Sequence, residues 1–195
     1  WAAAAAGSMP SAGGVSTRRL SQIQLQLKDY VTAMEKIYDG AYLTPEWPLV
    51  LTYTLGATGR RLGEALALRT IDIDWEAKRI MWKIEKKRQE FYLALPASDK
   101  LLKLLDRYIR LNAISYRLFD VSRQRAWYKI KQVLARYGLR GWRPHDLRHA
   151  FILKALIETK SLELVRRWVA HSKYDLLRQY AEVVGLEFDR PLVEL

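Results

Sequence analysis

The sequence predicts a mainly α-helical domain carrying one small antiparallel β-sheet. Three observations predict it. Apolar residues recur at three- and four-residue spacing through most of the chain, the period of a helix with one buried face. Short β-favouring runs cluster between Ile71 and Leu95. No internal repeat divides the chain into stacked units.

The elements follow in order. Residues 10–16 are rich in Pro, Ser, Ala and Gly and read as a flexible leader. Leu20, Ile23, Leu27, Val31 and Met34 predict one helix from Thr17 to about Tyr38, with Gly40 as its stop. Thr44-Pro45-Glu46 reads as a helix start, with Thr44 as cap and Pro48 still in the first turn. The apolar run Leu49 to Leu55 makes that helix a buried one, and Gly59 breaks it before a short helix through Glu64 and Leu66. Ile71 to Asp74 alternates and begins a strand, and the runs Ile80 to Ile84 and Phe91 to Leu95 flank a polar turn as a hairpin. Further helices are predicted from Ser98 to about Ala113, Ser122 to Tyr137, Pro144 to about Thr159, after the capping residue Ser161, and from Asp175 to Val184.

Composition bounds the function. A chain of 195 residues, half of them hydrophobic, suits one domain with its own core. The absence of cysteine excludes disulfides and thiolate metal sites and fits an intracellular setting. No apolar run approaches the roughly 20 residues a membrane helix needs. Trp1 to Ala6, followed by Gly7-Ser8-Met9, lacks the basic start of a signal peptide and reads as a tag or unassigned tail. The expected division is therefore a leader over 1–16 and one domain over 17–195. A net charge of +12 favours a polyanionic partner, although a well-solvated surface would carry the same excess.

Five local features carry possible chemistry, and each has a plainer reading. Thr58-Gly59-Arg60-Arg61-Leu62-Gly63-Glu64 sets two arginines between helices, where they could grip a phosphate or simply face water. Lys83, Lys86 and Lys87 ride on the hairpin, fit to reach a groove or to donate a proton, or to be an ordinary exposed turn. In Pro144-His145-Asp146-Leu147-Arg148-His149, His145 and Arg148 share a helix face and could hold one phosphate. His145 and His149 also have zinc-ligand spacing, but Asp146 is one methylene short of the expected Glu and no third ligand is evident. His171 at a helix end is more commonly a packing residue, and Tyr180 within a helix more commonly half-buried core.

Taken in order, Arg, Lys, His-x-x-Arg, His and Tyr resemble the active-site signature of the tyrosine recombinases, over nearly all of residues 20–184. Thr58 to Glu64 looks like the family's first box, with Arg61 at the catalytic arginine. His145 to His149 matches the second box almost letter for letter, and Val169-Ala170-His171-Ser172 resembles the family's Leu-Gly-His-Ser. Tyr180 follows His171 by nine residues, the family's spacing for its nucleophile. The chain departs from the pattern in Arg60, where many members are hydrophobic, in Ala170 for glycine, and in a hairpin without Gly-Lys-Gly. Counting back from Leu95-Pro96 favours Lys86 as the hairpin lysine, with Lys87 and Lys83 as alternatives.

The resemblance implies the tyrosine recombinase catalytic-domain fold and a site-specific recombinase or integrase. Tyr180 would attack the scissile phosphate and leave a 3′-phosphotyrosine and a free 5′-hydroxyl. Arg61 and Arg148 would hold the non-bridging oxygens. His145 and His171 would add hydrogen bonds and help move the tyrosine proton, and Lys86 would protonate the departing oxygen. A cationic surrounding would favour the phenolate. No metal, ATP or other cofactor is required. Glu64 would orient an arginine, or form a surface ion pair. Arg123, Arg125, Lys129 and Lys131 would meet the phosphate backbone, or form a solvated helix face.

Double-stranded DNA is the implied partner, in a homotetramer, with no membrane association and an intracellular, mobile-element setting. Leu186, Phe188, Leu192, Val193 and Leu195 would pack on a neighbouring subunit or on their own domain. Members usually carry an amino-terminal domain that clamps the far side of DNA. About 40 residues lie between the leader and the first box, so the expectation is a catalytic domain without it. A type IB topoisomerase-like activity uses the same chemistry, and a non-catalytic DNA-binding module would use the same cations.

Overall fold

The computed structural model describes residues 15–84, 91–170 and 174–186, the last from 177 onward with side chains. Lys86, Lys87, His171 and the terminal Phe188 to Leu195 lie outside the described residues, as does the leader up to residue 14.

The first long helix is two helices, α1 (Thr17–Leu25) and α2 (Leu27–Leu43). The join is Gln26, at φ −100° and ψ 13°, whose side-chain carbonyl accepts a 2.9 Å bond from the indole of buried Trp142. No Gly or Pro marks this break, so periodicity passes over it. Gly40 does not stop α2, which runs on to Leu43. A Cβ at Gly40 would lie 2.7 Å from the Tyr137 hydroxyl, so the glycine serves close packing rather than termination. Thr44 ends α2 instead of capping the next helix, α3 (Trp47–Thr58), which starts after Glu46 with Pro48 in its first turn.

Every residue from Val50 to Gly56 is buried, which makes α3 the central rod of the domain. It packs against α2, α5 (Asp99–Leu111), α6 (Arg123–Arg136) and α7 (Pro144–Thr159). Thr52, Thr54 and Thr58 survive inside by donating their hydroxyls to carbonyls four residues back, at 2.6, 2.8 and 2.6 Å. The short α4 (Leu62–Leu66) follows. Ser161 caps its helix as expected, and Ser98 and Ser122, read as the starts of their helices, are also caps: each of the three accepts from the backbone N–H three residues on.

The sheet has order β1-β2-β3, antiparallel throughout, from β1 (Ile73–Asp74), β2 (Arg79–Ile84) and β3 (Phe91–Pro96). Ile71 and Asp72, read as strand, belong to a 3₁₀ turn, because Asp72 folds back to accept from the Arg69 backbone at 2.9 Å. Ile80, Trp82 and Ile84 face inward, and β2 rests on α4. Two further helices, α8 (Leu162–Val169) and α9 (Tyr174–Val183), close the far side, with α9 lying on α1, α7 and α8. No helix among the described residues is long and apolar enough to cross a membrane.

Candidate active site

The turn between α3 and α4 parts two adjacent arginines. Gly59 closes α3 at φ 66°, and a Cβ there would sit 2.4 Å from the Phe151 ring, so conformation and space both demand glycine. Beyond it, the Arg61 backbone N–H donates to Glu64 Oε2 at 3.0 Å and its guanidinium to Oε1 at 3.1 Å. Glu64 is buried, so this is an internal brace rather than a surface ion pair, and it holds Arg61 at the edge of a cleft.

Arg60 turns the other way. It is enclosed, donates to the Trp168 carbonyl, lies 3.9 Å from Glu64, and rests 6.0 Å from the Trp82 ring centre. Its Nε and Nη1 find no hydrogen-bond partner among the described residues. Burial pushes its pKa down to about 10. Without Arg60, Glu64 would still keep both its bonds from Arg61, and the idle buried donors carry a desolvation cost, so this guanidinium contributes little net stability. Arg60→Met is therefore expected to leave the thermal midpoint unchanged or higher. A loss of more than about 2 kcal/mol in denaturant titration would show the guanidinium to be a needed support.

The start of α7 supplies the second group. Asp146 accepts from the Arg143 backbone N–H at 2.8 Å, capping the helix. It also takes the Arg19 guanidinium at 2.7 and 3.2 Å, which ties α1 to this end of α7. His145 faces the open cleft. Loss of surrounding water, then Arg148 and Arg61, hold its pKa below the usual imidazole range, with Asp146 opposing. Arg148 turns inward, with 2% of its surface exposed. Its Nη1 donates to the Gly59 carbonyl at 2.7 Å and its Nη2 to the Val169 carbonyl at 2.9 Å, joining the ends of α3 and α8. Carbonyls at helix ends lack partners within their own helix, so the arginine completes both. Burial pushes its pKa down to about 9, which still leaves it charged at neutral pH.

Tyr180 comes from α9. It is 4% exposed, and its hydroxyl lies 2.6 Å from Nδ1 of His149. The expected phenolate is not favoured in this arrangement. Burial pushes the phenol up to about 12, outweighing the opposite pull of Arg148 and Arg61. His149 is pushed down to about 3, by burial first and His145 next, so it is neutral, and in its Nε2–H tautomer Nδ1 accepts from the phenol. His145 and His149 meet edge to face, ring centres 4.6 Å apart.

These groups line one cleft of about 950 Å³. Arg18, Arg19, Arg61, Arg143 and Arg148 border it, with Asp146 as the single acidic lining residue among those described. Such a surface suits a phosphodiester: forked donors match its oxygens, and positive charge answers its negative charge. No group of three or more His, Asp or Glu side chains that could hold a metal ion occurs among the described residues. Arg61, His145, Arg148 and Tyr180 thus converge. His149, Arg18 and Arg19 join them without having been singled out as site residues. His149 stood in the quoted box, but α1 gave no signal beyond its apolar period. At the end of α8, Ala170 has φ 54°, the left-handed region where glycine is at ease, so the glycine of the resembled motif answers a real backbone demand.

Comparison with known proteins bears on the family and the fold. The description "Phage integrase family" matches residues 25–185. The tyrosine recombinase XerA of Saccharolobus solfataricus is 28% identical over 127 residues, 65% of this chain and 43% of that protein. The XerH site-specific recombinase bound to its difH substrate superposes with a TM-score of 0.65 at 21% identity, covering 80% of this chain and 48% of that one. The catalytic domain of bacteriophage HP1 integrase superposes at 0.59 with 18% identity, covering 80% and 84%. The chain thus spans less than half the length of the XerA and XerH proteins it matches. The family match runs through α2 to α9 and the whole sheet, and the chain belongs to the phage integrase family.

Proposed function

We propose that this chain is the catalytic part of a site-specific DNA recombinase that cuts and rejoins double-stranded DNA through a 3′-phosphotyrosine. One observation carries the reading: a tyrosine hydroxyl shares a single cleft with Arg61, Arg148 and His145. A family membership alone would not require that convergence in this chain.

In the reaction, the scissile phosphodiester sits against the Arg61 and Arg148 guanidiniums and His145. Their charge answers the negative charge that builds on the non-bridging oxygens as phosphorus becomes five-coordinate. Tyr180 attacks, and the 5′ oxygen departs with a proton from Lys86. His171 adds a further hydrogen bond. Both assignments follow from the family's order of residues. The ester energy is kept in the phosphotyrosine, so rejoining needs no external source. Arg125, beside Trp47, and Lys131, beside Trp127, lie on α6 with Arg123 and Lys129 and contact the DNA backbone farther out. A tetramer on DNA is the working assembly.

The test is a nicked suicide duplex, from which the short cleaved strand escapes and traps the enzyme. A covalent protein–DNA adduct is expected on a denaturing gel, and peptide mass spectrometry is expected to place the nucleotide on Tyr180. Modification at another residue, or binding without any adduct, would overturn the reading. The latter result would leave a DNA-binding module.

A further inference from the structure

We propose that Arg60 is a positioning residue: by sharing the Glu64 carboxylate with Arg61, it keeps part of the Arg61 guanidinium free for the scissile phosphate. The inference rests on the recombinase reading above and adds to it a residue that acts through another. Arg61 borders the cleft and Arg60 does not. The side chains of Arg60 and Glu64 are wholly enclosed, while that of Arg61 is 27% exposed. Enclosing a guanidinium whose Nε and Nη1 stay idle has a desolvation cost that an apolar side chain would not carry. Its bond to the Trp168 carbonyl needs a donor but no charge. Arg60 is nonetheless charged at neutral pH, since burial, opposed by Glu64, brings its pKa down only to about 10.

Other arginines of this chain close on a carboxylate as a fork, with two guanidinium nitrogens on its two oxygens. Arg19 gives Asp146 its Nη2 at 2.7 Å and its Nε at 3.2 Å. Arg69 gives Asp72 its Nη2 at 2.7 Å and its Nε at 3.0 Å. Arg61 gives Glu64 one guanidinium nitrogen, Nη1, at 3.1 Å from Oε1. Oε2 takes the Arg61 backbone N–H at 3.0 Å and is faced by Arg60 Nε at 3.9 Å. The backbone bond does not by itself prevent a fork. Arg69 and Asp72 have the same three-residue spacing and the same kind of backbone bond, at 2.9 Å, and still close fully. What sets the Glu64 pair apart, besides one methylene, is the second guanidinium. A carboxylate drawn toward two cations holds each less firmly. Without Arg60, Glu64 would draw Arg61 into the full fork and away from the cleft. The same charges reach Arg148, whose pKa is lowered by burial, then Arg61, then Arg60, with Glu64 opposing.

A double-mutant cycle separates this role from packing. The full chain, at saturating concentration, is incubated with a pool of nicked duplexes of randomised sequence, and adduct formation is timed in a single turnover. Arg60→Met is expected to slow adduct formation about tenfold, a part of the roughly 10²-fold that losing a whole donor costs. The thermal midpoint should not fall. With Glu64→Gln already in place, the same Arg60→Met change should cost less than about threefold, because a neutral amide does not draw Arg61 inward. A merely structural loss would slow adduct formation alike with Glu64 or its replacement, and that result would overturn the proposal. So would an Arg60→Met protein as fast as the wild type. Arg60→Lys keeps a charge beside the carboxylate without the planar fork, and should stay within about threefold of the wild-type rate. A Lys protein as slow as the Met protein would overturn the proposal as well. This last comparison decides alone if Glu64→Gln does not fold, as judged by its thermal melt, or forms adduct too slowly to time. Failure of the wild type itself to form adduct would refute the recombinase reading and this proposal together, whereas the other adverse results refute this proposal alone.

Discussion

Tyr180→Phe is expected to yield no covalent protein–DNA adduct at any incubation time, while the protein stays folded and still retains DNA. The loss should be complete because no other group supplies the attacking oxygen; the arginines and histidines remain but have nothing to activate. The fold should tolerate the change. The ring stays packed beside Leu177 and Ala181, both fully buried on the same face of α9. What disappears is one hydroxyl and its bond to His149, leaving a buried imidazole nitrogen without its partner, at a cost of about 1–3 kcal/mol. Urea titration measures that cost, and the suicide duplex measures the chemistry. An adduct persisting in the Phe protein would remove Tyr180 from the reaction.

Arg148→Ala is expected to damage both stability and cleavage. Truncation strips the Gly59 and Val169 carbonyls of their donors and leaves a void where a fully enclosed side chain stood. Breaking a buried charged network in this way costs on the order of 3–5 kcal/mol. Loss of a donor aimed at the developing charge costs at least about 10²-fold in rate. Arg148→Lys divides the two effects. An ammonium keeps the charge and one of the carbonyl bonds, so part of the stability should return. It lacks the planar fork, so the rate should not. Exposed Arg18, Arg143 and the α6 cations are untouched by either change, so DNA retention should fall much less than cleavage. Near-normal adduct formation by Arg148→Ala would show that the second box had been assigned wrongly.

The sequence made much of the scaffold readable because local chemistry decided it. Serines at helix starts, Pro144 in a first turn, and Gly59 and Gly138 at helix ends act within a few residues, and those boundaries agree to within one or two positions. What escaped depends on distant partners. The break falls at Gln26, whose side chain serves the distant Trp142 as acceptor. Gly40 reads as a stop until Tyr137 is seen beside it. The two arginines of the first box look alike in the sequence, and only the place of Glu64, Trp82 and the cleft tells the buried one from the one at the edge. The phenol was expected to be activated by nearby cations. Enclosure outweighs them, a balance that depends on how deeply α9 sits against α1 and α7.

The Arg19–Asp146 pair has a practical consequence for anyone who trims or shuffles proteins of this fold. A fragment cut where family resemblance begins, at residue 25, would discard most of α1. With it would go one wall of the cleft, the buried Leu20 and Ile23, and a guanidinium that helps pin the first turn of α7. Minimal versions and chimaeras should keep this lead-in helix, since an alignment-based border would amputate part of the cleft while preserving every motif.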